Sequence, residues 1–312
     1  MTDGPPPPAA APMDRIALLA AAATVILWAS AFPVMRFALA SYHPLVLALL
    51  RLLIGGLALA LWAAVARIPP PALRDLPALL GFGLVGIAAA GVTLVIGLRS
   101  VGAGAGSFLV GTIPVFSALL ARFTLGERIG PAAWGGIGIS FVGIALIAFG
   151  EGDGPRLNAG AAWIVASAFC QALYYVAQRP YLRRYSPLRL TCAVVPLGAL
   201  CTLPLLALEV EHGAGARWPL TALMLEQVRT APLGATVAVA YLGLFPIAAA
   251  FIFWSTALAR AKAAQVTSAM YAMPLLAMSL GYVWLGEIPG PLSLAGGTAA
   301  LAGVALVALR SR

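Results

Sequence analysis

The stretch TLGERIGPAAW, Thr124–Trp134, has a second copy in WLGEIPGPLSL, Trp284–Leu294. Leu125, Gly126, Glu127, Gly130 and Pro131 recur as Leu285, Gly286, Glu287, Gly290 and Pro291, each 160 residues later. The same offset pairs Leu98 with Leu258, Pro114 with Pro274, Gly136 with Gly296 and Gly143 with Gly303. Nearer the start of each half the offset becomes 143: YHPL at Tyr42–Leu45 answers YSPL at Tyr185–Leu188, and Arg36 answers Arg179. The long connection from Glu209 to Thr230 absorbs the difference. Gly, Pro and Leu are common here, so shared composition is the competing explanation; one LGE-xx-GP spacing at one fixed offset argues instead for an internal repeat.

Of the 312 residues, 62% are hydrophobic and only 9% charged. A soluble domain is about one quarter charged, so this chain has too little charge to cover a water-exposed surface and reads as an integral membrane protein. The net charge of +9 does not indicate nucleic acid, because the arginines stand singly or in small groups between apolar stretches. Cys170, Cys192 and Cys201 all lie within apolar stretches and read as packing residues rather than metal ligands or disulfide partners. Residues 1–13, rich in Pro and Ala, read as a disordered tail without the basic start of a signal peptide.

A hydrocarbon core about 30 Å thick needs about 20 apolar residues per helix. Ten such spans are expected, near 16–36, 44–66, 76–98, 104–121, 132–149, 159–179, 188–208, 233–257, 264–284 and 292–309. With the N-terminus in the cytoplasm, thirteen Lys and Arg fall on the cytoplasmic side and six on the other. The positive-inside rule therefore places both termini in the cytoplasm, in a bacterial-type cytoplasmic (inner) membrane. Residues 14–150 and 155–312 then form two five-helix units. Because five is odd, the second crosses the membrane in the opposite sense. The expected fold is all-α, ten transmembrane helices as two inverted repeats around a central cavity.

Ten spans, the repeat, ILWASAFPVMRFAL in the first span and LGE after the fourth and ninth resemble the drug/metabolite transporter superfamily, its EamA-type branch above all. The likeness covers about residues 14–310. It implies small-metabolite transport, commonly export, and one branch, the YddG type, exports aromatic amino acids. Arg51 in LLRLLIGG looks like the arginine that family places early in its second helix.

The sixth span carries Trp163, Ser167, Gln171, Tyr174 and Gln178 at steps of three and four, one helical face. Its amides, hydroxyls and rings suit an amino acid's charged groups and an aromatic side chain; the alternative is a face that packs on neighbouring helices. The 143 offset pairs Gln171 with Trp28 and brings the first span to the same cavity. Pro114 and Pro274 each remove a helical hydrogen bond, freeing the carbonyls near Val110 and Met270. They read as gate hinges or as static kinks, with Ser107 before the first and Thr267 and Tyr271 before the second as candidate substrate contacts. Thr93 and Trp254 are further candidate substrate contacts.

Gly136, Gly143, Gly296 and Gly303 suggest packing or dimer faces in the fifth and tenth spans, which should stay outside the pathway. Arg36 and Arg51 fall near the outer ends of their helices, where pairing with Glu287 is favoured over attraction of a leaving carboxylate. Glu127 and Glu287 are expected to brace the helix starts that follow them.

No Asp or Glu lies in the middle of a span, and His43 and His212 fall in loops, so no side-chain proton relay is apparent. No intramembrane nucleophile or metal constellation argues for an enzyme, and no metal or cofactor is called for. The reading is an alternating-access exporter of small neutral or zwitterionic metabolites, aromatic or other hydrophobic amino acids first, by facilitated diffusion or exchange. Its partners are a small-molecule substrate and the lipid bilayer, as monomer or homodimer. A transporter of phosphorylated or nucleotide-linked compounds or drugs, and a passive channel, are the alternatives.

Overall fold

The computed structural model describes residues 14–124, 126, 130–151, 158–212, 216–261, 266 and 269–310. The tail 1–13, Glu127 and Thr267 lie outside them. Among the described residues eight helices are long and apolar enough to cross a membrane: α1 (Arg15–Ala38), α2 (Pro44–Val65), α3 (Leu73–Leu98), α4 (Ala103–Thr124), α5 (Pro131–Gly150), α6 (Ala159–Ala177), α7 (Pro187–Ala207) and α8 (Leu233–Arg260). Two shorter apolar helices follow, α9 (Ala269–Leu285) and α10 (Pro291–Val307).

Local chemistry sets these starts and stops. The Asp14 carboxylate caps α1 by accepting from the Ala17 N–H at 2.6 Å, and this hydrogen bond, with Arg260 beside it, holds the Asp14 carboxyl below its ordinary value despite an opposing desolvation. Asn158 caps α6 through Gly160 N–H at 2.7 Å. Prolines open α2, α5, α7 and α10 at the one position where a missing N–H is harmless. Gly126 and Gly286, one repeat apart, both take left-handed backbone, with φ of 69° and 67°. Gly126 and Gly286 thus stand just past the ends of α4 and α9.

Five helices are interrupted, four of them at repeat-related places; the fifth, α7, changes to a 3₁₀ segment at Leu203–Ala207, whereas α2 is continuous. α3 contains a π-helical segment at Gly83–Ala89 and α8 one at Gly243–Ala249, 160 residues on. α4 breaks into Ala103–Val110 and Ile113–Thr124, just before Pro114. α9 starts as a 3₁₀ turn, Ala269–Ala272, before its α-helical part, which has Pro274 in its first turn.

Close approaches repeat as well. A Cβ on Gly55 would sit 2.8 Å from the Gly243 carbonyl, and one on its counterpart Gly198 would sit 2.7 Å from the Gly83 carbonyl. α2 therefore lies against the π segment of α8, and α7 against that of α3. Gly136 meets the Gly303 carbonyl and Gly143 the Gly296 carbonyl, so α5 and α10 touch backbone to backbone within one chain.

The described loop contacts sort into two ends. At one, called the α1–α2 end, His43 N–H donates to Gln227 Oε1 at 3.0 Å and Arg36 pairs with Glu287 at 2.8 Å. At the opposite end Tyr185 donates to Asp75 Oδ2 at 2.6 Å and Arg260 meets Asp14 at 3.2 Å. The connection between α7 and α8, expected as a loop, holds an antiparallel hairpin, β1 (Glu209–His212) with β2 (Ala216–Pro219), and a helix at Leu220–Thr230. That helix buries Leu220 and Leu223 completely.

Candidate functional site

A cavity of about 140 Å³ lies inside the helices. Its wall comes from α1 (Trp28, Phe32, Met35), α2 (Arg51, Leu52), α3 (Gly86, Ile87, Gly91, Leu94), α4 (Val110, Ile113), α6 (Gln171, Tyr175), α7 (Val195), α8 (Pro246, Ile247, Phe251) and α9 (Met270, Met273). Among the described residues, none of α5 or α10 is in this wall.

The lining is built from counterparts. At the 143 offset Trp28 goes with Gln171, Phe32 with Tyr175 and Leu52 with Val195; at 160, Ile87 goes with Ile247, Gly91 with Phe251, Val110 with Met270 and Ile113 with Met273. The two π segments and the two proline breaks thus put their irregular turns on the cavity. A π turn widens the helix locally and turns extra backbone toward a site. The carbonyls of Val110 and Met270 lie four residues before Pro114 and Pro274, which have no N–H to give them.

Polar groups in the wall are few. Trp28 Nε1–H donates to the Pro246 carbonyl at 2.9 Å, tying α1 to the π segment of α8. Its ring meets Phe251 at 5.6 Å and Trp254 at 5.3 Å between centroids. Arg51 is 6% exposed. One Nη donates to the Gly91 carbonyl at 2.9 Å, whereas Nε, sealed from solvent, has no acceptor. Gln171 and the Tyr175 hydroxyl are the other polar groups, and the rest is aliphatic or aromatic, with Met35, Met270 and Met273 as adaptable surface.

A separate polar cluster lies at the α1–α2 end. Glu287 takes Arg36 Nε on one oxygen and the Ala103 N–H, at the start of α4, on the other at 2.7 Å. Glu151 accepts from Gly102 N–H at 2.9 Å and from Ser293 Oγ at 2.9 Å. Arg36 also reaches the Leu98 and Arg99 carbonyls, and Asn158 the Ser100 carbonyl. Six helices from both halves meet in this cluster.

The EamA-like transporter family matches the chain twice, over residues 15–149 and 158–309. The chain belongs to that family. It is 39% identical over 289 residues to a probable terminal-alkyne amino-acid exporter of Streptantibioticus cattleyicolor, spanning 92% of each protein. It is 36% identical to the uncharacterized transporter YdfC of Bacillus subtilis, over 91% of this chain and 88% of that one. A solved structure at 21% identity superimposes with a TM-score of 0.61 over 96% of this chain and 98% of that one, which shows a shared fold.

In this EamA-family chain the sequence candidates separate. Trp28 and Gln171 line the cavity. Ser167 is fully buried and donates to the Ala90 carbonyl of α3 at 2.7 Å, so its hydroxyl joins two helices. Tyr174 is buried over Gly86, where a Cβ would lie 2.5 Å from it. Trp163 is 46% exposed on the outer surface, and Gln178 is the C-cap of α6 at the end opposite the α1–α2 turn. Thr93 and Ser107 bond to carbonyls of their own helices. Trp254 packs behind Trp28 rather than in the wall, and Tyr271 packs against Val115, Ile137 and Val304.

Two expectations about charge change. Arg36 pairs with Glu287 as expected, but Arg51 does not; it points into the cavity wall. Glu287 braces the start of α4, not that of α10 which follows it. The sequence reading also missed Phe32, Tyr175 and Phe251. The signal was available: one helical turn beyond Trp28/Gln171, the same offset pairs Phe32 with Tyr175.

Proposed function

We propose that the chain is an alternating-access amino-acid exporter of a bacterial-type cytoplasmic membrane, facilitative or exchanging. Residues 14–150 and 155–312 form its two inverted five-helix units, with both termini cytoplasmic. The observation that carries the proposal is the cavity wall made of repeat-related pairs from eight helices, the place where inverted-repeat transporters hold substrate. The alternation of loop contacts between two ends and the crossed glycine contacts of α5 and α10 support ten crossings and a pseudo-twofold. On this reading the Glu287–Arg36 cluster is the closed outer gate, and the breaks at Pro114 and Pro274 are the hinges.

The relative named as an exporter of terminal-alkyne amino acids supports an amino-acid substrate with an apolar side chain. The wall agrees, since it offers aromatic and aliphatic surface with four polar side chains.

Flux into proteoliposomes tests this, with radiolabelled phenylalanine, leucine and tryptophan, with and without a proton gradient. Saturable flux that needs no gradient is expected. Loss of one hydrogen bond or ring contact in the wall costs about 1.4 kcal/mol, so Gln171→Ala and Trp28→Ala should each lower kcat/KM by roughly tenfold. No flux above empty liposomes for the whole panel, from a folded preparation, would refute the proposal.

A further inference from the structure

We propose that Arg51 is the anchor for the substrate's carboxylate; this rests on the amino-acid reading above and assigns one charged group of the substrate to one residue. Arg51 stands seven residues into α2, about 10 Å along the helix from its start at 1.5 Å per residue. That depth takes it away from the polar cluster at the α1–α2 end and sets it in the cavity wall. Among the described residues no carboxylate pairs with it. Its single described hydrogen bond, to the Gly91 carbonyl, occupies one of five N–H donors, and Nε–H has no acceptor.

A guanidinium so buried and so incompletely bonded is expensive to maintain. A carboxylate entering the cavity offers what the protein withholds: a full countercharge and two oxygens matched to the guanidinium fork. Gly91 makes the arrangement sterically open, because a Cβ there would stand 3.3 Å from Arg51 Nη2 and 3.0 Å from Leu52.

The repeat sharpens the inference. The counterpart of Arg51 is Val194 and that of Gly91 is Phe251. One half of the cavity therefore carries a cation over an open backbone, and the other carries a ring where the first has no side chain. A substrate held between them is oriented, carboxylate toward α2 and α3, apolar side chain toward Phe251, Ile247 and Trp28. A neutral or purely apolar solute has no use for this asymmetry.

The experiment measures competition in proteoliposomes that take up radiolabelled phenylalanine or leucine. Competitors are the amino acid, its amide (phenylalaninamide, leucinamide) and the acid without the amine (3-phenylpropionate, 4-methylpentanoate). In the wild type the amides should compete about 30-fold more weakly or worse, the loss expected when a buried charge loses its partner. The acids without the amine should still compete. Arg51→Lys keeps charge without the fork and should narrow the acid–amide gap; Arg51→Gln should erase it in whatever flux remains. Wild-type competition needs no variant to fold, so misfolding of Arg51→Gln leaves the test intact. Amides that compete as well as the amino acids in a transporting wild type would overturn the anchor and leave the amino-acid reading standing. No amino-acid flux at all would overturn both.

Discussion

Gly143→Ala in α5 should loosen the chain without touching its substrate site. The new Cβ would lie 2.5 Å from the Ala300 nitrogen and 2.5 Å from the Gly296 carbonyl oxygen, both backbone atoms of α10. Neither can rotate aside, so the helices must separate by about 1 Å, and such a gap forfeits a quarter to a half of each contact's attraction. Overpacking of this kind costs about 1–3 kcal/mol. Separation also strains the Ser140 Oγ–H bond to the Ala300 carbonyl, 3.2 Å long, which is worth about 1 kcal/mol. Against this stands the better helix propensity of Ala, up to about 1 kcal/mol. Gly138→Ala, on the same helix with nothing within 4 Å, receives only that gain. The two alanine variants should differ by about 2–3 kcal/mol, several degrees of melting temperature, read by size-exclusion chromatography of heated, detergent-solubilised protein. The KM of surviving transport should not change, because α5 and α10 are absent from the cavity wall. Gly143→Ala melting at or above Gly138→Ala would refute the backbone contact.

Three further outcomes follow from contacts elsewhere. Ser167→Ala should lower the melting temperature, by the roughly 1 kcal/mol of a buried hydrogen bond, and leave KM alone; Gln171→Ala should do the reverse, and a KM change in both would place Ser167 in the site. Glu287→Ala leaves Arg36 and the Ala103 N–H without their acceptor. Loss of about 1–3 kcal/mol from the α1–α2 end should speed maleimide labelling of Ala105→Cys, a buried position beside the cluster, in a background without the three native cysteines, by about fivefold or more; unchanged labelling would show that the cluster is not a latch. Asp14 has a depressed folded-state carboxyl, held first by the Ala17 N–H, so its contribution is complete above the ordinary value of 3.8 and fades as pH falls through the depressed one. The melting difference between wild type and Asp14→Ala should therefore be constant near neutrality and shrink only in acid below about pH 4; a difference that shrinks instead above pH 5 would contradict the cap.

What the sequence made legible is what depends on neighbours along the chain. Helix positions needed only runs of apolar residues, and the structure adds what ends those runs: proline at the first helical position, Asp14 and Asn158 as caps, and glycine where φ is positive. The 160-residue offset was legible because identical turns need identical residues. The π segments were not, since GLVGIAA and GLFPIAA read as continuous helix; only the pressing of Gly198 and Gly55 against them shows where the extra residue goes. The hairpin was missed because strands of four residues carry too little alternation to register. The polar stripe of α6 does not act as one face: Trp163 lies exposed and Gln178 ends the helix, and the inward part meets both neighbours and cavity. Ser167 finds the Ala90 carbonyl, Gln171 finds open space, and no periodicity separates them.

The same contrast explains where specificity resides. A twofold cavity made of identical halves would present the same groups in both directions and could not orient an amino acid. The backbone elements are repeated closely: paired π turns, paired proline breaks, paired glycine contacts. These are parts that must move alike if each end is to open in turn. Some wall side chains diverge between the halves, Trp28 against Gln171 and Gly91 against Phe251, and Arg51 is answered by Val194, which is buried outside the wall. Departure from the repeat is thus the feature that marks a contact as chemical rather than architectural. By that criterion Arg51, buried, incompletely bonded and answered by the apolar Val194 in the other half, marks a chemical contact.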